Sequence, residues 1–330
     1  MDPLSDVIRG IRLNGAHFYR VEAAPPWSVS TVESRELEPR VLPESQHLIS
    51  FHILLRGECW AGLDGHDQVR MSAGDVIMFP HGDAHVMSSH EWAQVRDVDS
   101  LLTEPRRFSE TVYLGAEHAR NTAFVCGFLG CDLRPFNPLL AALPRRLHAP
   151  GIAAGWLAPL SNQVVPESRA GRVGKDTMVT RMAELLFIEA VRQHVEGREE
   201  QTGWLAGLVD PVVGPALTRM HETPAHAWTL PKLAREGATS RSVLADRFTR
   251  TLGVSPMQYL KRWRLQLAAD ELVRGSAKVS AIATRIGYDS EAAFSRAFKQ
   301  ETGVSPAAWR RRRTRPTQTS QTSRPAVAAR

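Results

Sequence analysis

The sequence predicts an α+β protein of two domains, a strand-rich N-terminal half followed by an all-α C-terminal third. Three observations predict it. Residues 13–100 run as short apolar segments closed by turn signals. From about Asp176 the apolar spacing becomes helical. Near the C-terminus one pattern is written twice, as TSRSVLADRFTRTLGVSP from Thr239 to Pro256 and as DSEAAFSRAFKQETGVSP from Asp289 to Pro306. At an offset of 50 residues Ser240 matches Ser290, Phe248 matches Phe298, and Gly253-Val254-Ser255-Pro256 matches Gly303-Val304-Ser305-Pro306. Such a repeat marks a supersecondary unit used more than once.

The N-terminal half is read as β from segments such as Phe51-His52-Ile53-Leu54-Leu55 and Val76-Ile77-Met78-Phe79. Turn signals close them at Arg56-Gly57, Leu63-Asp64-Gly65-His66, Ala73-Gly74-Asp75 and Pro80-His81-Gly82-Asp83. Short strands at this spacing indicate a sandwich or barrel. Val125 to Cys131 reads as another strand, whose alternation puts Cys126 and Cys131 on opposite faces.

One stretch is more specific. Residues Gly74 to His85 have the form G-x5-P-x-G-x2-H. They resemble the second motif of the cupins, small double-sheet barrels of the jelly-roll type. FHILLRGECW, from Phe51 to Trp60, resembles the glycine-ended strand that closes the first cupin motif. In metal-binding cupins that first motif supplies H-x-H and a Glu. Here Glu44, Ser45, Gln46 and Ser50 stand near those positions and there is no H-x-H, so no metal or other cofactor is expected. His52, His81 and His85 could form a metal site only in an unusual arrangement. Structural histidines are the plainer reading. The candidate effector-binding set is His52, Trp60, His81 and His85, because Trp and His offer apolar area with a polar handle.

Helical spacing begins in TMVTRMAELLFIEAVRQHV, with Asp176 as candidate N-cap and Gly197 after the end. This apolar helix is expected to cover the barrel or to pair with its twin in a homodimer. Residues 197–203 read as a loop, a further helix lies around Pro211 to Glu222, and Thr223-Pro224 marks a boundary. The expected division is 1–150, a cupin-like effector domain; 151–222, a helical linker and dimerisation region; 223–315, a DNA-binding domain; and 316–330, a disordered tail.

In the last third, Thr229 caps a short helix over Leu230 to Glu236, Gly237-Ala238-Thr239 makes a turn, and Ser240 caps a second helix with Val243, Leu244 and Phe248 on one face. Ser255 caps a connecting helix from Pro256 to about Val273, with Leu260, Trp263 and Leu267 as its stripe. The plan recurs with Ser280 and Ser290 as caps and Ala293, Phe294, Ala297 and Phe298 inward, and Arg310 to Arg313 are expected in solvent. Each unit is helix, turn, helix.

This module resembles the DNA-binding domain of the AraC/XylS transcription regulators over roughly 100 residues. The resemblance rests on Leu233-Ala234, Ser240-Arg241-Ser242, Arg247-Phe248, Gly253-Val254-Ser255-Pro256 and Tyr259-Leu260. It continues through Arg264, Leu267-Ala268, Ile282-Ala283, Gly287-Tyr288, Ser290, Phe294, Arg296, Phe298-Lys299, Gly303 and Pro306. Ala238 departs from it, standing where the first turn usually has Gly. The resemblance implies double-stranded promoter DNA, RNA polymerase and a small effector as partners, and no catalysis.

Each second helix can enter a major groove, which carries a full donor and acceptor code. Candidate base contacts are Arg241, Ser242 and Ala245 in the first helix, and Glu291, Ala292 and Ser295 in the second. Ser240 and Ser290 cap helix ends that meet phosphate. Arg250, Arg296 and Lys299 are phosphate candidates, while Arg247 and Arg296 are equally readable as structural.

Composition fits this reading. Residues 229–315 carry 18 Lys and Arg against 7 Asp and Glu, and the tail adds two Arg, so the chain's net +6 leaves residues 1–228 at −7. A basic module joined to an acidic one suits a phosphate backbone on one side only. No apolar run approaches the ~18 residues of a membrane helix. No basic stretch followed by an apolar one opens the chain. Cys59, Cys126 and Cys131 are too few for a disulfide framework, so a cytoplasmic location is expected. Two other readings compete, a constitutive DNA-binding protein whose barrel only dimerises and a metal-dependent cupin enzyme with an appended DNA-binding module.

Overall fold

A computed structural model describes residues 3–10, 13–63, 67–90, 111–116, 119–131, 136–197 and 203–314. The expected disordered tail at 316–330 and most of the loop at 197–203 lie outside them.

The N-terminal half is a two-sheet barrel. Its strands are β1 (Leu13–Ala23), β2 (Ser28–Thr31), β3 (His47–Arg56), β4 (Glu58–Leu63), β5 (Asp67–Ser72), β6 (Val76–Phe79), β7 (His85–Ser88), β8 (Val112–Leu114), β9 (Thr122–Cys131) and β10 (Leu147–Ala149). One sheet has the order β10-β6-β3-β9-β1-β8 and the other β2-β7-β4-β5. β1 and β8 pair in parallel, and the remaining pairs are antiparallel. Helices α1 (Pro3–Gly10) and α2 (Ser34–Val41) accompany them.

Period-two alternation sorts the large sheet's side chains into two cores. Tyr19, Leu48, Leu54, Ile77, Phe79, Phe124, Cys126 and Phe128 face the small sheet. Phe18, Ile49, Phe51, Ile53, Val76, Met78, Val125, Leu129 and Cys131 face the other way. The two cysteines therefore occupy opposite faces, as alternation requires. Gly127 is needed where the outer face is tightest, because a Cβ there would lie 2.3 Å from the Phe51 ring.

That outer face is covered by helices α3 (Pro138–Ala142), α4 (Ala158–Arg169) and α5 (Lys175–Glu196). On α5 the inward stripe is Val179, Met182, Ala183, Leu186, Phe187, Ala190 and Val191. Its cap is not Asp176: the helix starts after Gly174, which sits at φ 82, a left-handed conformation open to glycine. The stretch expected as a linker is therefore split between two structures. Residues 151–197 belong with the barrel, whereas α6 (Trp204–Val209) and α7 (Val213–Glu222) pack against the first helix-turn-helix.

The C-terminal helices are α8 (Leu230–Glu236), α9 (Arg241–Leu252), α10 (Pro256–Arg274), α11 (Val279–Arg285), α12 (Glu291–Thr302) and α13 (Pro306–Thr314). Leu233, Ala234, Leu244, Phe248, Tyr259, Leu260 and Trp263 complete the same core that covers the barrel's outer face. The second unit has a core of its own, built on Leu265, Leu272, Ile282, Ile286, Phe294, Phe298 and Trp309.

Candidate nucleic-acid interface

The two recognition helices, α9 and α12, are set by identical local chemistry. The Ser240 side chain accepts from the Val243 amide and Ser290 from the Ala293 amide, each at 3.2 Å. Such caps satisfy amides left open at a helix start and contribute about 1 kcal/mol each. Both helices stop at a left-handed glycine, Gly253 at φ 73 and Gly303 at φ 76. Ser280 does not cap α11. That helix begins two residues earlier, at Val279, with Lys278 at the cap position and no side-chain bond.

The turns before the two helices differ by one residue. Thr239 N donates to Ala234 O and Tyr288 N to Ala283 O, so the first helices match at an offset of 49 while Ser240 and Ser290 match at 50. The left-handed position is filled by Gly287 in the second turn and by Ala238, at φ 46, in the first. Among the described residues Ala238 is the one non-glycine there.

Burial of Leu244 and Phe248 turns the opposite side of α9 outward, and burial of Phe294 and Phe298 does so for α12. At 100° per residue the outward face of α9 carries Ser242, Val243, Asp246 and Arg250, and that of α12 carries Ala292, Arg296, Lys299 and Gln300. Arg241 and Glu291 are exposed at the flanks, while Ala245 and Ser295 are half-buried at the edge. Val243 was expected to face inward. It is instead 48% exposed, because one residue separates it from the Leu244 direction. Asp246 was missed. It ion-pairs with Arg250, so that arginine is engaged within its own helix.

Arg247 and Arg296, both readable from the sequence as structural, resolve differently. Arg247 donates to Asp210 at 2.7 Å. Burial pushes the Asp210 carboxyl up, but bonds from Val213, Arg247 and Val212 outweigh it and hold it below the usual value. Arg247 is thus a strut between α9 and the start of α7. Arg296 has no ion pair or hydrogen bond among the described residues and stands exposed on α12. Arg310 was expected in solvent, but it donates to Leu272 O at 3.2 Å and Ala277 O at 2.6 Å, tying α13 to the end of α10. Arg311 is exposed.

The second reader is fixed to the connector. Arg262 ion-pairs with Glu301 at 3.0 Å and Lys261 donates to Gln300 at 3.2 Å. Arg264 donates to three carbonyls, Pro224 at 2.6 Å, His226 at 2.8 Å and Gly287 at 3.3 Å. With 19 residues, α10 spans roughly 28 Å at 1.5 Å per residue.

The barrel candidates do not converge. His52 and His85 meet in the interior, with Nε2 atoms 2.7 Å apart, while His52 Nδ1 lies 3.1 Å from Cys126 Sγ and His85 Nδ1 2.9 Å from Asp83 O. All four ring nitrogens are thereby engaged within the protein. Burial pushes both imidazoles down, that of His85 to about 4, so the pair is uncharged near neutrality. Trp60 points away, since its neighbours Cys59 and Ala61 face the interior and strand alternation turns it out. His81 sits exposed in the β6–β7 turn, bonded to Leu143 O at 2.9 Å. Among the described residues no group of three or more His, Cys, Asp or Glu could hold a metal ion.

Comparison with known proteins decides the family. Residues 2–196 match the cupin family model and residues 233–312 a helix-turn-helix domain model. A putative AraC-like transcription regulator of Streptomyces lividans is 31% identical over 320 residues, covering 96% of this chain and all of its own. One from Streptomyces antibioticus is 30% identical over 319 residues, covering 94% and 99%. The chain belongs to the AraC-like transcription regulators. The HTH-type regulator AlkR of Acinetobacter baylyi is 29% identical to this regulator over 317 residues, covering 94% of this chain and 99% of its own. The solved DNA-binding domain of AdpA in complex with a target DNA is 28% identical, with 31% of this chain and 92% of that one covered and a TM-score of 0.30. This AraC-like regulator is a sequence-specific DNA-binding protein with a cupin-type N-terminal domain. No described helix is long and apolar enough to cross a membrane.

Proposed function

We propose that the regulator reads two successive major grooves on one face of DNA, one with α9 and one with α12, under the control of a small effector. The observation that carries this is the pair of capped helices with solvent-facing sides, both packed on one connecting helix. The two outward faces differ, with Asp246 in the first where Arg296 stands in the second. An asymmetric protein face of this kind fits a directional operator rather than a palindrome.

The roles follow from chemistry. Arg296 is placed to bond guanine, and Ser242, Ala292 and Val243 offer a hydroxyl and apolar contacts to base edges, a methyl of thymine included. Arg241, Arg250 and Lys299 supply phosphate charge, while Ser240 and Ser290 present capped helix ends to it. Glu291 accepts from cytosine, and Ala245 and Ser295 border the contact surface. Control passes through the first unit, since it shares one apolar core with the helices that cover the barrel. A homodimer through the exposed Met178 and Leu185 of α5, and contact with RNA polymerase, complete the reading.

Selection of a site from random oligonucleotides, followed by titration at several salt concentrations, tests the DNA part. The proposal expects a non-palindromic preference and affinity that falls steeply with salt. Absence of any preferred site, or a flat salt response, would sink it.

A further inference from the structure

The two reading units are built on separate buried cores. The first shares its core with the helices that cover the barrel, and the second packs its own around Leu265, Leu272, Phe294 and Phe298. Where no large common core fixes two bodies, the few contacts that cross between them decide their relative placement.

One crossing contact stands out. On α10 the half-buried Arg264 donates from three nitrogens to three backbone carbonyls. Nε bonds Pro224 O at 2.6 Å, Nη2 bonds His226 O at 2.8 Å and Nη1 bonds Gly287 O at 3.3 Å. Pro224 and His226 lie between α7 and α8, at the entrance to the first unit. Gly287 lies in the turn between α11 and α12, which sets the second reader. A single planar fork therefore joins main chain of one unit to main chain of the other.

Both ends of this clamp are firm. The 223–228 segment is held by His226 N to Thr223 O at 3.1 Å, Trp228 N to His226 O at 2.7 Å and Trp228 Nε1 to Thr223 O at 3.0 Å. It joins helices α7 and α8, whose Met220 and Leu233 are buried in the first core, and Arg219 ties those helices together through Glu236 at 2.8 Å. At the other end Tyr288 N donates to Ala283 O at 2.9 Å and the Tyr288 ring meets that of Phe294 edge-on, which fixes the turn to α11 and α12. The two segments also touch directly, since a Cβ on Gly287 would lie 2.6 Å from Ala225 O. By contrast, the pairs from α10 to the end of α12, Arg262 with Glu301 and Lys261 with Gln300, reach solvent and hold weakly. Bonds from a charged donor to carbonyls shielded by packing hold more strongly.

We propose that Arg264 is the positioning residue that sets the separation and rotation of α12 relative to α9, and with them the half-site spacing the regulator accepts. Its nitrogens are spent inside the protein, so it acts through the two readers and not on a base. This rests on the reading that α9 and α12 enter successive major grooves. One base pair more or less between half-sites shifts the second by ~3.4 Å and turns it by ~35° about the duplex. A clamped second unit gives up contacts at the wrong spacing, whereas a released one pivots on α10 and keeps them.

The test uses full-length protein and the DNA site selected from random oligonucleotides, with the spacer between half-sites shortened or lengthened by one base pair. Affinities for the three DNAs are measured by competition for the parent, Arg264→Met and Arg264→Lys. The parent should lose about tenfold or more on either change, comparable to a mismatched base pair. In Arg264→Met that loss should shrink to about threefold or less, with Arg264→Lys in between, because one ammonium replaces the fork. The readout is a ratio between DNAs on one protein sample. Partial unfolding lowers every affinity alike and leaves that ratio where it was, so a merely structural role does not move it. Either variant keeping the parent's ratios overturns the role of Arg264 and leaves the two-groove reading standing. A parent that binds all three spacings alike overturns that reading, and the role of Arg264 with it.

Discussion

The two turns of the repeat place different residues at one left-handed backbone position, and the difference can be measured. Ala238 is held at φ 46, where its Cβ crowds the following carbonyl. A non-glycine residue in this region costs roughly 1–2 kcal/mol. Replacing it by Gly removes that strain but adds about 0.5–1 kcal/mol of chain entropy to the unfolded state. Ala238→Gly should therefore stabilise the first unit by about 0.5–1 kcal/mol. The reverse change in the second turn is far from symmetric. Gly287 stands at φ +84, and a Cβ on it would lie 2.6 Å from Ala225 O and 2.9 Å from Ala225 Cα. The backbone at 224–226 cannot retreat easily, because Arg264 holds Pro224 O and His226 O together with Gly287 O. Gly287→Ala thus adds a clash to the left-handed penalty and should cost about 3 kcal/mol or more. Urea titration followed by circular dichroism reads both changes as midpoint shifts at constant slope. A neutral or destabilising Ala238→Gly, or a Gly287→Ala within about 0.5 kcal/mol of the parent, would refute the argument from turn geometry.

Further outcomes follow from the same structure. Arg296→Ala should weaken binding to the selected site by about 1–3 kcal/mol and relax preference at one base pair, read by competition against single-base variants of the site. Phe298→Ala should cost about 3–5 kcal/mol but confine its damage to the second unit, whose core is separate. Phe248→Ala should loosen α6, α7 and the barrel's covering helices as well, since they share its core, and hydrogen exchange distinguishes the two patterns. Stability should fall with acid in a window set by the buried histidines. Unfolded imidazoles take protons below about 6.5, while His85 and His221 in the folded state wait until about 4 and about 3. The unfolded chain binds more protons across that window, so stability rises with pH from about 3 to 6.5 and levels off above it. Denaturant midpoints across that range should show the slope, and His85→Gln should flatten it.

Much of the DNA-reading module was legible because its determinants are local. Ser240, Ser290, Gly253 and Gly303 set helix ends through bonds and dihedrals that span a few residues, and a sequence displays those directly. Leu244 and Phe248 betray the buried side by spacing alone. The errors also have local causes. Val243 is apolar but lies one residue away from the buried direction, and Asp176 was outcompeted as a cap by a left-handed Gly174. Asp246 stayed hidden because an acidic residue on a DNA-facing helix gives no signal until the helix is seen from outside.

The sequence by itself determined the strand-rich character of the N-terminal half, the two helix-turn-helix units, the offset repeat between them and the charge contrast along the chain. These depend on periodicity and on residues close together in sequence. Tertiary structure decided what distance in sequence conceals. It turned Trp60 out of the barrel, engaged His52 with His85, and bound Arg247 to Asp210 across 37 positions. It merged the first unit with the barrel's outer core and left the second with its own. It also brought the Arg264 guanidinium to the carbonyls of Pro224, His226 and Gly287. Packing of segments distant in sequence makes that clamp, and no local pattern encodes such packing.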